Sequence, residues 1–162
     1  MASSEIIDRD LGWGKIVKAL GKGAKDPNSV AYIGFFEDGT PRTAGDITNA
    51  ELAAIHEYGT DKIPERSFMR STFDRMRPKY EAIVAKLSGE VVDGKMTLAK
   101  LLDLVGLKIE NDIRRAVKTG PGIPPPNAPS TVKRKKSSRP LVDTAQMINA
   151  LTHDVGPERG SE

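Results

Sequence analysis

The sequence predicts an α+β fold, with long amphipathic helices packed on a small, mostly antiparallel sheet and a long basic, proline-rich loop or arm. Three observations predict it. Apolar residues recur at helical spacing over two long stretches. A short run of β-branched and aromatic residues precedes them. The chain has 162 residues, 38% hydrophobic but only 5% aromatic, which suits one domain whose core leans on Leu, Ile, Val, Ala and Met.

The elements follow in order. Leu11, Ile16, Val17 and Leu20 can share a helix face, which Gly21 and Gly23 then end. Asp26-Pro27-Asn28 is a turn signal, and Ser29 to Phe36 reads as a strand running into a turn at Glu37-Asp38-Gly39. Thr48 to Tyr58 is a helix. Thr48 caps it, Glu51 completes a capping box three residues on, and Gly59 stops it. Ile63-Pro64 forces extended backbone ahead of the next helix.

Ser67 to Leu87 carries Met69, Phe73, Met76, Tyr80, Ile83 and Leu87 on one apolar stripe. Pro78 lies inside it, so a kink or break is expected there, because proline lacks a donor and clashes with the preceding turn. Thr97 to Lys118 is the clearest helix, with Leu98, Leu101, Leu102, Val105, Ile109, Ile113 and Val117 aligned. Residues 119–140, with Pro124, Pro125, Pro126, Pro129 and Pro140, are expected to form an extended arm rather than a packed element. Order resumes from Leu141 to Ala150, where Asp143 can cap a short helix with Gln146 in the reciprocal position. Leu151 to Val155 reads as a last strand. Residues 1–10 and 156–162 are expected to fray at the ends of a single domain spanning 1–162.

Composition narrows the function classes. With no cysteine, disulfides, thiolate metal sites and cysteine catalysis are excluded. No apolar run approaches the roughly 20 residues of a membrane span, and the polar N-terminus does not resemble a signal peptide. A soluble protein made in the cytoplasm, with no membrane partner, is the expectation. The net charge of +3 conceals a division. Residues 113–142 contain no acid and eight basic residues, leaving 17 basic against 22 acidic residues elsewhere.

Few residues suggest reaction chemistry. His56 and Glu57 are adjacent, so on a helix they point about 100° apart and cannot form a one-face metal site. The second histidine of an H-E-x-x-H pattern is missing. Asp8, Asp10, Asp38 and Asp46 are scattered, and Ser137-Ser138 reads as solvated loop. Gly12, Gly14, Gly21 and Gly23 lack the strand and the lysine-serine pair of a phosphate loop. The chain is therefore expected to be non-enzymatic and to need no cofactor or metal. Lys133, Arg134, Lys135, Lys136 and Arg139 can attract phosphates without reading sequence, or an acidic partner. No aromatic lies between Ile113 and Val142, so a base-stacking platform is not expected. The prolines at 124, 125, 126 and 129, with Leu141, suit an arm reaching to a neighbouring subunit, since a pre-stiffened segment loses less entropy on docking. An ordinary solvated loop is the simpler alternative.

Two motifs then line up. The first is Ala50-Glu51-Leu52-Ala53-Ala54-Ile55-His56-Glu57-Tyr58-Gly59-Thr60, followed by Ile63-Pro64-Glu65-Arg66-Ser67-Phe68-Met69-Arg70. The second is Pro129-Ser130-Thr131-Val132 with the basic run, then Arg139-Pro140-Leu141-Val142-Asp143-Thr144-Ala145-Gln146-Met147. Together they resemble the virion morphogenesis, or tail-completion, proteins of tailed bacteriophages. That family shows a helix ending in H-E-[FY]-G, then I-P-x-R-P-F-[LM], and later P-S-T-x-x-x-K and K-P-L-[IV]-D-T-G-x-[LM]. Ser67 stands where the family has proline, and Ala145 where it has glycine. Tyr58, Gly59, Pro64, Phe68 and Asp143 read as anchors of the fold rather than reactive groups.

The resemblance implies a structural protein of the virion neck, assembled in the host cytoplasm. It would form a ring where the tail meets the head, a homohexamer in the first instance and a dodecamer as the alternative. Its partners would be the connector or stopper, the tail terminator or tail tube, and genomic DNA passing through the channel. A tail terminator is the neighbouring rival role. A non-specific DNA-binding module using residues 133–139 is the rival from another class.

Overall fold

A computed structural model of the chain describes residues 29–36, 47–119, 123–135, 141 and 146–157, the side chains at 134 and 135 excepted. The elements are β1 (Ser29–Gly34), α1 (Asn49–Tyr58), α2 (Met69–Val92), α3 (Leu98–Lys118), α4 (Pro129–Lys135), α5 (Gln146–Ala150) and β2 (Thr152–Pro157). The class is α+β, helices against a small two-stranded antiparallel sheet. The helix expected over 11–20, the turns at 26–28 and 37–39, and Lys136, Arg139 and Asp143 lie outside the described residues.

α3 is the central element. Leu101, Val105, Ile109, Ile113 and Val117 recur every fourth residue and are buried along one side. Thr97 caps the helix by accepting from the Lys100 N–H. The sheet lies against α3, with β1 paired to β2 in a register that sets Ser29 opposite Pro157 and Gly34 opposite Thr152. α2 packs on α3 as well, and α1 packs on α5. Phe68, Ile148 and Leu151 are wholly buried where these layers meet.

α2 runs unbroken through Pro78, contrary to the break expected there. Pro78 is on the exposed side of the helix. The Asp74 carbonyl that loses its donor there can be satisfied by water, so packing elsewhere overrides the local penalty. Tyr80, two residues on and on the inner side, donates to Asp112 Oδ2 of α3 at 3.2 Å. Burial and that carboxylate push the phenol above its ordinary pKa, so it stays a donor.

The proline-rich stretch also differs from the expected arm. Pro129–Lys135 forms the short helix α4, and Ile123 is buried. Leu141 is buried too, so it packs in its own chain's core rather than offering a contact to a neighbour. It does so at φ 62°, a conformation that costs a non-glycine residue on the order of 1 kcal/mol and is held by that burial. No helix among the described residues is long and apolar enough to cross a membrane.

Pro78→Ala restores an interior helix donor on an exposed face. It should raise unfolding free energy by roughly 1–3 kcal/mol, read by urea denaturation; a loss of stability would show that the ring itself is packed.

Candidate functional site

The first motif forms a closed junction between α1 and α2. α1 begins with the capping box: the Thr48 hydroxyl accepts from the Glu51 N–H, and Glu51 accepts from the Thr48 N–H. It ends at Gly59, whose N–H donates to the Ile55 carbonyl. Gly59 takes φ 75°, and a Cβ there would lie 2.7 Å from the Glu65 nitrogen, so glycine is required on both counts. The chain then folds back. Thr60 and Ile63 exchange backbone hydrogen bonds, and the Arg66 N–H donates to the His56 carbonyl at 2.7 Å.

That return brings the start of α2 onto Glu57. The residue before the helix is Phe68, which offers no side-chain cap. The buried Glu57 carboxylate supplies one. Oε2 accepts the N–H groups of Phe68 and Met69 at 2.9 and 3.0 Å, and Oε1 accepts that of Arg70 at 3.0 Å. The Ser67 hydroxyl and Arg70 Nε also donate to Oε1. Unpaired donors and the positive end of the helix dipole are thereby met by one negative charge. Burial alone would push this carboxyl up. The N–H groups of Met69 and Arg70, the Arg70 guanidinium and the Ser67 hydroxyl outweigh it and hold the group below the ordinary glutamate value.

Arg70 stiffens the junction from outside. Its Nη2 donates to the Glu57 carbonyl at 3.0 Å and to Glu65 at 2.7 Å, and its guanidinium lies over the Tyr58 ring, 4.9 Å from the centroid. Tyr58 itself is 67% exposed and Pro64 is exposed, so both act on the junction from the surface. Tyr58 is a surface platform for Arg70, and Pro64 acts through backbone geometry alone. Phe68 is the core anchor, and Gly59 is the turn.

Arg66 links this junction to the second motif. Its side chain is buried, and it donates from Nε to the Pro125 carbonyl at 2.8 Å and from Nη2 to the Pro126 carbonyl at 3.2 Å. Burial lowers its pKa from the ordinary arginine value. The prolines at 124, 125, 126 and 129 are exposed, and so is Lys133 on α4. Arg66 clasps the backbone at Pro125 and Pro126, whose rings are exposed. The structure thus brings Gly59, Phe68 and the proline-rich segment into one neighbourhood around α1. It does not describe the side chains of Arg134, Lys135, Lys136, Arg139 or Asp143.

Glu57, Arg66 and Arg70 as a connected set escape the sequence reading, which takes Glu57 only with His56. The missing cap at Phe68 is the available signal, since a 24-residue helix without one must find its acceptor elsewhere. A second charged group, Asp103, Glu110 and His153, joins α3 to β2. Among the described residues no group of His, Asp and Glu is placed to hold a metal ion. Comparison with protein-family models, curated proteins and solved structures finds no match to this chain.

Glu57→Gln keeps the shape but replaces one acceptor oxygen by a donor facing N–H groups. It should cost about 1–3 kcal/mol of unfolding free energy by urea denaturation. Glu65→Gln, which removes only an exposed ion pair, should cost about 0.5 kcal/mol or less. Equal effects would show that the carboxylate is not the cap.

Proposed function

We propose that this chain is a structural protein of a tailed-phage virion, a tail-completion protein that forms a ring at the head–tail interface. One observation carries the reading. The two motifs on which the family resemblance rests are tied at their described ends: Arg66 of the first grips the carbonyls of Pro125 and Pro126, just ahead of the second, and α1 packs on α5, which opens with the second's last residues, Gln146 and Met147. Their order and spacing are thus those of one architectural unit. The residues of the first motif cap, turn and clasp.

Assembly by surface complementarity has material to work with. Arg70 of α2 over Tyr58 of α1, and Arg77 over Phe73, 5.5 Å from the centroid, are two exposed pairs of guanidinium and ring. Arginine and aromatic residues of this kind are the usual anchors of protein interfaces. The exposed rings of Pro124, Pro125, Pro126 and Pro129 add a contact edge, which Arg66 fixes at Pro125 and Pro126. A closed ring needs such head-to-tail patches, and a hexamer matches a sixfold tail tube; a dodecamer is the alternative. The exposed Lys133 on α4 favours, as a second reading, contact with the phosphates of DNA in the channel.

The particle assembled without this protein decides between the roles. Filled heads separate from free tails of normal length are expected, overlong tails would indicate a tail terminator, and infectious virions would refute both. In solution, light scattering should give about six times the 17.6 kDa subunit mass. Replacing Lys133, Arg134, Lys135 and Lys136 by alanine should leave that mass unchanged; salt-dependent duplex binding lost in this variant would add the DNA contact.

A further inference from the structure

The charged groups left without a role above gather where β2 crosses α3. His153 of β2 lies between two carboxylates of α3. Its Nδ1 is 2.6 Å from Glu110 Oε2, and its Nε2 is 3.2 Å from Asp103 Oδ1. Asp103 and Glu110 are seven residues apart, two helical turns, so both face the strand. Gly106 lies between them. A Cβ there would come within 2.8 Å of the imidazole Cδ2, so the missing side chain is what lets the ring lie against the helix. The cluster is anchored on both flanks. Arg114 Nη1 pairs with the other oxygen of Glu110 at 2.5 Å, and Lys100 Nζ pairs with the other oxygen of Asp103 at 2.7 Å. Arg114 Nη2 also donates to the Leu151 carbonyl, immediately before β2.

An ionised carboxylate only accepts hydrogen bonds, and a neutral imidazole carries a single N–H. Both contacts are therefore hydrogen bonds only while both ring nitrogens hold protons. From this geometry we propose that His153 is a protonation-controlled latch. As an imidazolium it bridges Asp103 and Glu110 and holds β2 on α3; on deprotonation one bridge is lost and the strand loosens.

The Asp103 end gives way first. Glu110 is buried, at the shorter distance, and tied to Arg114, whereas Asp103 is more exposed and retains Lys100. Few other charges face the ring. β1 sets the uncharged Ile33 opposite it, and the α5 residue that reaches Arg114 through its carbonyl is the uncharged Asn149. Arg114 and Lys100, on the same α3 face, hold the carboxylate oxygens turned away from the ring. Burial works against the charged imidazole, but the direct bonds from Glu110 and Asp103 outweigh it and hold His153 above the ordinary histidine value. The bond from Lys100, and then that from His153, holds the Asp103 carboxyl low.

The sign follows. A group whose pKa is raised by folding contributes its full stabilisation below the unfolded value of 6.5 and loses it as pH rises through the folded value. NMR titration of the two histidines of the full chain tests this, with His153→Gln assigning the signals. His153 should titrate above 6.5, and Asp103→Asn should shift it downward. As pH rises above 6.5 through the His153 midpoint, unfolding free energy of the native chain should fall, and protection factors of the β1–β2 amides should drop with that midpoint. His153→Gln should flatten both. Asp103→Asn, an exposed and mild change, carries the test if His153→Gln does not fold. Titration of His153 at or below 6.5, or strand protection with no inflection at its midpoint, would overturn the latch.

Discussion

The Glu57 carboxylate is the constraint from which the architecture is built outward. A 24-residue helix starts without a cap of its own, in a partly buried place where water cannot substitute. The acceptor comes from the last turn of the preceding helix. This one group joins α1 to α2, and it dictates what lies between them. The chain must turn at once, which requires glycine at 59. It must then return within nine residues, which Ile63-Pro64 and the Arg66–His56 backbone bond arrange. Phe68 enters the core only because the chain arrives from that direction.

The same junction controls the distant proline-rich segment. Residues 123–128 lie outside helix and strand, so their carbonyls have no regular ladder to join. Arg66 supplies two donors from a rigid fork, with its own backbone fixed by the turn. A strand of logic therefore runs from Glu57 through Arg66 to α4 and its exposed Lys133. Under the proposed function, a contact edge for a neighbouring subunit would inherit its position from a helix cap buried beneath it. α3 plays the complementary part on the other side. Its apolar face carries α2 and the sheet, and its charged face secures β2 through His153 and Arg114.

What was legible in the sequence had local causes. The Thr48–Glu51 box, the stop at Gly59 and the α3 stripe are all written in neighbouring residues, and each appears where expected. Ser29 to Phe36 was readable as a strand for the same reason, although its pairing with residues 152–157 was not. The misses came from tertiary context. Pro78 is tolerated because it faces outward on a helix held by its other side. Pro129–Lys135 forms a helix within composition that reads as extended, with proline in the first helical position where no donor is needed. Tyr58 ends α1 as the sequence implies, but the service of its ring to Arg70 at the surface depends on a residue twelve positions on. Glu57, Arg66 and His153 act across 10 to 60 residues of sequence, and no periodicity carries such information.

The central claim is that an ionised Glu57 caps α2. The most direct measurement is the titration of its side-chain carboxyl carbon by NMR, with the amide protons of Phe68, Met69 and Arg70 followed in the same series. The account predicts a Glu57 midpoint below 4.5, with all three amides shifting at that same midpoint as their acceptor is neutralised. A midpoint at or above 4.5, or amides indifferent to it, would contradict the account.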